Sequence, residues 1–160
     1  MNDTPTDPAG EADLEVLLRS MEPRLDGAEY VVVTFPAGGQ VDLSAGSPTA
    51  LLSGLAPVAV VAEAEGTTWV IGAELLAHAI AAGLDAPLGA DGPSMARITL
   101  TVHSSLVAVG LTAAVSSALA ARGISCNVVT GYFHDQLFVP AGRGPEALRI
   151  LQDLAARSAT

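Results

Sequence analysis

The sequence predicts an α+β protein of two interlocked ferredoxin-like subdomains of βαββα plan with antiparallel sheets, preceded by an N-terminal helix. Three observations carry that expectation. Residues 30–84 and 97–156 each run strand, helix or loop, strand, turn, strand, helix, so the chain reads as a diverged duplication of about 55–60 residues per copy. Each copy lacks a last strand of its own, which suggests that the halves complete each other and leave one sheet face free for a partner. Half of the 160 residues are hydrophobic and 15% are charged, enough to bury a core and far from the composition of disordered chains.

Taken in order, residues 1–10 hold two prolines and no periodic apolar positions, and read as a disordered tail. Leu14, Leu17, Leu18 and Met21 then fall at i, i+3, i+4 and i+7, which predicts an amphipathic helix within 11–23, closed by Pro23. The first subdomain, 28–86, opens with the β-branched run 30–35 as a buried strand, and a helical turn is expected at 48–55. Runs 58–62 and 67–71 flank Glu63-Ala64-Glu65-Gly66 as a hairpin, and 73–84 is a helix stopped at Gly83. Pro87, Gly89, Gly92 and Pro93 mark 85–96 as the connection.

The second subdomain, 97–157, starts with a strand at 97–103, where Ile98, Leu100 and Val102 alternate with Thr99, Thr101 and His103. A helix beginning at Ser105 or Gly110 carries Leu111, Val115, Ala118 and Leu119, with Gly123 as its cap. Strands at 124–132 and 136–139 turn around His134-Asp135, and Pro145 opens a last helix through 156.

Charge and residue types narrow the function. Seven basic residues, all arginine, against seventeen acidic ones give a net charge of −10, which disfavours nucleic acid and anionic membranes as partners. The uncharged stretch 104–121 is punctuated by serine, threonine and glycine, poor material for a hydrocarbon core. The acidic N-terminus lacks the basic-then-apolar order of a signal peptide, and Cys126 has no second cysteine to pair with, so the cytoplasm is the expected compartment. His78, His103, His134 and Cys126 show no metal-ligand spacing, the glycines form no nucleotide cradle, and no cofactor is expected. Ser104, Ser105, His103 and Asp135 include the residue types of a hydrolytic triad, but without a nucleophile-elbow pattern the expectation is a protein that is not an enzyme.

Residues 98–140, ITLTVHSSLVAVGLTAAVSSALAARGISCNVVTGYFHDQLFVP, resemble the ACT-like bacterial proteins of unknown function, and AEAEGTTWVI at 62–71 resembles their first half. Val109-Gly110-Leu111, with Arg122-Gly123-Ile124-Ser125, is similar to the turn, helix and strand start of ACT domains in general, with Val109 where proline is usual. The resemblance implies tandem ACT-like units that bind an amino acid or another small effector and regulate without catalysing.

The residues themselves offer a site of the same kind. Gly110 at the first turn of its helix lets a ligand approach the backbone, and the N–H groups of Gly110, Leu111 and Thr112, after Val109, suit a carboxylate. Ser104 and Ser105 are placed either to hydrogen-bond it or to cap the helix. Glu63 is a candidate for a ligand's ammonium, or the solvated end of a hairpin, and Asn127 for its polar groups. The competing expectation is a ligandless oligomerisation or protein-interaction module, a homodimer through the free sheet face that carries Thr99 and Thr101.

Overall fold

The computed structural model describes residues 10–39, 41, 54–102, 104, 105 and 107–158. The expected tail (but for Gly10), most of the expected turn at 48–55, and His103 lie outside them. The chain divides into two units, one joining the residues up to Asp26 with those from Ala96 onward, the other spanning Gly27–Met95.

In the first unit, helix α1 (Leu14–Ser20) is shorter than the expected 11–23 because Asp13 is its cap. The Asp13 carboxylate accepts from the N–H groups of Glu15 and Val16 at 2.9 and 3.1 Å, satisfying donors that the first turn leaves without partners. Met21 turns extended, and the chain enters strand β1 (Pro23–Pro36). Sequence patterning locates only 30–35 of that strand, since proline, aspartate and glycine are depleted in strands; Pro23 is tolerated as its first residue.

The first residues of β1 stand beside β4 (Met95–Leu100), followed by β6 (Asp135–Pro140) and β5 (Asn127–Thr130), in the order β1-β4-β6-β5. This supplies the fourth strand that the second half of the sequence lacks. The N–H and hydroxyl of Thr101 both donate to the Glu22 carbonyl, at 3.3 and 2.8 Å, and Arg97 forms an ion pair with Asp26. On the opposite strand neighbour, the Thr99 hydroxyl donates to the Gln136 side chain at 2.8 Å.

Helices α3 (Leu111–Ala120) and α4 (Gly144–Arg157) complete the unit. Leu111, Val115 and Leu119 repeat every fourth residue and form one buried stripe on α3. They share a core with Leu17 of α1, Ile98 and Leu100 of β4, Leu137 and Val139 of β6, and Leu151 of α4. The strands expected at 97–103 and 124–132 are shorter than their apolar runs, because Val102 and Ile124 reach that same core from outside the ladders.

The second unit pairs β3 (Gly66–Gly72) antiparallel with both β2 (Ala59–Glu63) and the later part of β1. The expected hairpin is present, with Glu63 opposite Gly66 across Ala64-Glu65. Helix α2 (Ala73–Ala81) stops short of the expected residue 84, and Gly83 follows with φ +106°. Val31, Val33 and Phe35 alternate into a core with Trp69 and Ile71 of β3 and Leu76 of α2. The Phe35 and Trp69 rings meet edge to face, centroids 5.1 Å apart.

Gly66 has φ +150°, and a Cβ there would run into the Phe35 carbonyl oxygen. Gly66→Ala should therefore destabilise the fold by about 1–3 kcal/mol, whereas Gly142→Ala, with open space around its Cβ, should stay within about 0.5 kcal/mol of the parent. Urea denaturation of both variants checks this, and equal midpoints would contradict it. Cys126 packs against the first unit's core, and burial pushes its thiol up to about 11. Because the thiolate is the nucleophile, its alkylation by iodoacetamide at pH 8 should run about a hundredfold slower than that of a free cysteine, whose pKa is about 8.5. Mass spectrometry of the time course reads the rate, and labelling as fast as in urea-unfolded protein would refute the packing.

Candidate functional site

Alternation along β6 builds the site. Asp135, Leu137 and Val139 share one face of the strand, and the two apolar members pack under the helices. Asp135 continues that row at its end, where β6 meets Thr130 of β5, and is left only 6% exposed. A cleft opens there, with about 330 Å³ of empty volume including its mouth. Its walls are Ser104, Ser105 and Ala108 on one segment, Leu111 and Thr112 on the first turn of α3, and Thr130 and Asp135 on the β5–β6 hairpin.

The segment before α3 is fixed from two sides. Ser104 bridges to Glu11 in parallel, the Ser105 N–H donates to the Glu11 carbonyl at 2.7 Å, and Ala108 N–H donates to the Ser105 carbonyl at 2.9 Å. Gly10 allows this approach: with φ +74°, a Cβ there would sit 2.7 Å from the Ser105 nitrogen. Since α3 starts at Leu111, neither serine caps it; Gly110 is its cap residue, without a side chain to close the first turn. The first-turn N–H groups of a helix have no partner within the helix, and its positive dipole end adds to them. Gly110 has φ +107°, and a Cβ would meet a Leu14 methyl at 2.8 Å, so the glycine serves the turn and the close packing of α1.

Burial pushes the Asp135 carboxyl upward from its ordinary range, partly offset by the hydrogen bond with the Thr130 side chain and by the charge of His134. A carboxylate in this position gains from a cation arriving in the cleft. The cleft thus sets a buried acid and four hydroxyl-bearing residues beside a helix N-terminus.

Of the residues singled out in the sequence, Ser104, Ser105, Leu111 and Thr112 come together here. Val109 is fully at the surface beside the cleft, and Gly110 stands between it and the helix. Asn127 pairs with Phe138, one step out of phase with Asp135, and so lies on the other sheet face. Glu63 belongs to the other unit, where its carboxylate accepts from the Thr68 hydroxyl. Thr130 completes the cleft without any expectation from the sequence, and Asp135, which its place at the end of a strand pair makes a minor candidate for a site rim, lines the wall. The signal for Asp135 was its place at the start of an alternating buried row, QLFV preceded by an acid.

Among the described residues no group of three or more His, Cys, Asp or Glu side chains is placed to hold a metal, and no helix is long and apolar enough to cross a membrane.

The ACT-domain family matches the chain twice, over residues 9–87 and 96–153. No curated protein matches. A protein of unknown function from Vibrio cholerae, described as a possible transport protein, is 42% identical with a TM-score of 0.67, over 89% of this chain and 95% of its own. The ligand-free regulatory subunit of aspartate kinase from Thermus thermophilus is 15% identical with a TM-score of 0.59, over 86% of this chain and 98% of its own. The corresponding subunit from Thermus flavus, 14% identical with a TM-score of 0.53 over 84% and 95%, has the same fold. The matched family is a regulatory one whose domains as a class bind small effectors and oligomerise, and no catalytic family is indicated. With two ACT-domain matches in tandem and a homologue matched at this identity over most of both chains, the chain belongs to the ACT-domain proteins.

Proposed function

We propose that this chain is a non-catalytic regulatory ACT protein that binds a free amino acid in the cleft at the start of α3. The observation that carries the reading is the buried Asp135 carboxylate lining the same cleft as the first turn of α3. An anion alone is attracted by the helix N-terminus and repelled by Asp135, and a cation alone meets the reverse. A zwitterion satisfies both: its carboxylate sits on the N–H groups at Leu111 and Thr112, its ammonium on Asp135, and the hydroxyls of Ser104, Ser105 and Thr130 supply the remaining bonds. Glu63 and Asn127, expected as contacts from the sequence, are not needed in this arrangement.

The alternative, a ligandless oligomerisation module, draws on the second unit, where Val60 and Val61 of the outer strand β2 are 42% and 52% exposed. A thermal-shift screen of the twenty amino acids separates the two. At about 100 times its Kd a ligand stabilises the fold by about 2.7 kcal/mol, and Asp135→Asn, which keeps the shape and removes the charge, should weaken binding at least tenfold while remaining folded. Absence of any saturable shift in the well-folded parent would sink the binding reading and leave the module.

The same residue gives a pH dependence. A carboxyl raised by burial contributes stability that is complete below the ordinary aspartate value and is lost as pH rises through the raised one. The melting temperature of unliganded Asp135→Asn minus that of the parent should therefore climb from pH 4 to pH 7, the background of other carboxylates cancelling in the difference. A flat or falling difference would mean that Asp135 is not held in a desolvated place.

A further inference from the structure

Resting on that reading of the cleft, we infer that its ligand is an amino acid with an uncharged, hydrogen-bonding side chain, as in serine, threonine or asparagine, and that the Ser105 hydroxyl reads that group. Among the described residues that line the cleft, none is basic and Asp135 is the one acid. A ligand's ammonium takes Asp135 and its carboxylate takes the first turn of α3, so a second charge of either sign on the ligand finds no counter-charge. An acidic side chain would stand beside Asp135, and a basic one would have to share it with the ammonium.

Apolar contact is equally scarce. Of the two apolar lining residues, Leu111 is 4% exposed and spends its side chain on the core of the unit, which leaves the single methyl of Ala108. Hydroxyls are the abundant groups. That of Thr130 is engaged with Asp135, and Ser104 and Thr112 are open enough for water to satisfy them. Ser105 differs: it is 9% exposed, its Oγ accepts the Val107 N–H at 3.4 Å, and among the described residues nothing accepts its proton. Its backbone is pinned on both sides, the N–H on the Glu11 carbonyl at 2.7 Å and the carbonyl under the Ala108 N–H at 2.9 Å, which fixes the hydroxyl in the wall. An apolar side chain laid over that donor would strand it, whereas a ligand oxygen satisfies it. A site that hydrogen-bonds a ligand hydroxyl discriminates far more strongly against the analogue lacking it than an apolar pocket discriminates between side chains one methylene apart.

Isothermal titration of the full chain with serine, threonine and asparagine against alanine, leucine, aspartate and lysine tests this. At least one of the first three should bind about tenfold or more tightly than each of the other four. Ser105→Ala should cut that ratio to about threefold or less, and Ser105→Cys, which keeps the shape with a weaker donor, should narrow it likewise if the alanine variant does not fold. Binding of any of the four that equals or exceeds the best polar ligand, or a ratio that survives the substitution in folded protein, overturns the inference while the amino-acid site stands. No binding by any of the seven, in protein that also shows no shift with the full set of twenty, removes the amino-acid reading itself and the inference with it.

Discussion

The candidate site depends on α3 and β6 burying their apolar faces in one core. Leu111, Val115 and Leu119 lie on one stripe of the helix because they recur every four residues, and Leu137 and Val139 lie on one strand face because they recur every two. Where both periodicities are satisfied, water is excluded. Where the stripe ends, at Leu111, the strand row has one more member, and that member is an acid. The cleft is the place at which the helix runs out and the buried face of the sheet continues. Its polarity follows from the two ends that meet there: helix N–H groups without intrahelical partners and a carboxylate without full solvation.

Holding the helix in that position involves a region distant in sequence. Leu17 and Met21 of α1 enter the same core as α3 and α4, and Gly110 is stripped of a side chain where Leu14 passes. The segment leading into α1 also binds the cleft wall directly, through the Glu11 carbonyl and the Ser105 N–H. Helix α1 therefore clamps the start of α3, and Glu11 ahead of it supports the cleft wall.

Much of this organisation is legible in the sequence, and the failures have physical causes. Helices and the hairpin declare themselves through periodicity and turn chemistry, as at Leu14–Met21 and Glu63–Gly66. The beginning of β1 does not, because Pro23, Asp26 and Gly27 are held in a strand by neighbours that local preference cannot report, namely the Glu22 carbonyl under Thr101 and the Arg97–Asp26 pair. The strand supplied to the second half thus comes from before the first half, a relation that no repeat pattern within 97–156 contains. For the site, the run from Ser104 to Thr112 is visible as a strand, loop and helix start. Asp135 is harder to see because a strand's first residue is equally compatible with a solvated turn, and only the register of Thr130 with Asp135 places it inward.

The energetics of Asp135 connect stability to regulation. A carboxylate kept from water and balanced, among the described residues, by the Thr130 side chain and a neighbouring histidine raises the free energy of the protein as its charge forms. Selection for stability alone would favour an amide or an apolar residue there, since replacing a buried charge by a group of similar shape is commonly neutral or stabilising. On the proposed reading the charge is explained because a ligand's ammonium would add the countercharge that Thr130 cannot supply, and the two states would then differ most at the junction of α3 with β6. A ligand can shift a conformational equilibrium only by its differential affinity for the two states. The groups that meet it here sit at the end of a helix whose stripe is shared by β4, β6, α1 and α4, so a small displacement at Leu111 is felt by the whole core of the unit. On the proposed reading, this shared core is the physical link by which occupancy of the cleft would become a change in the packing of the unit.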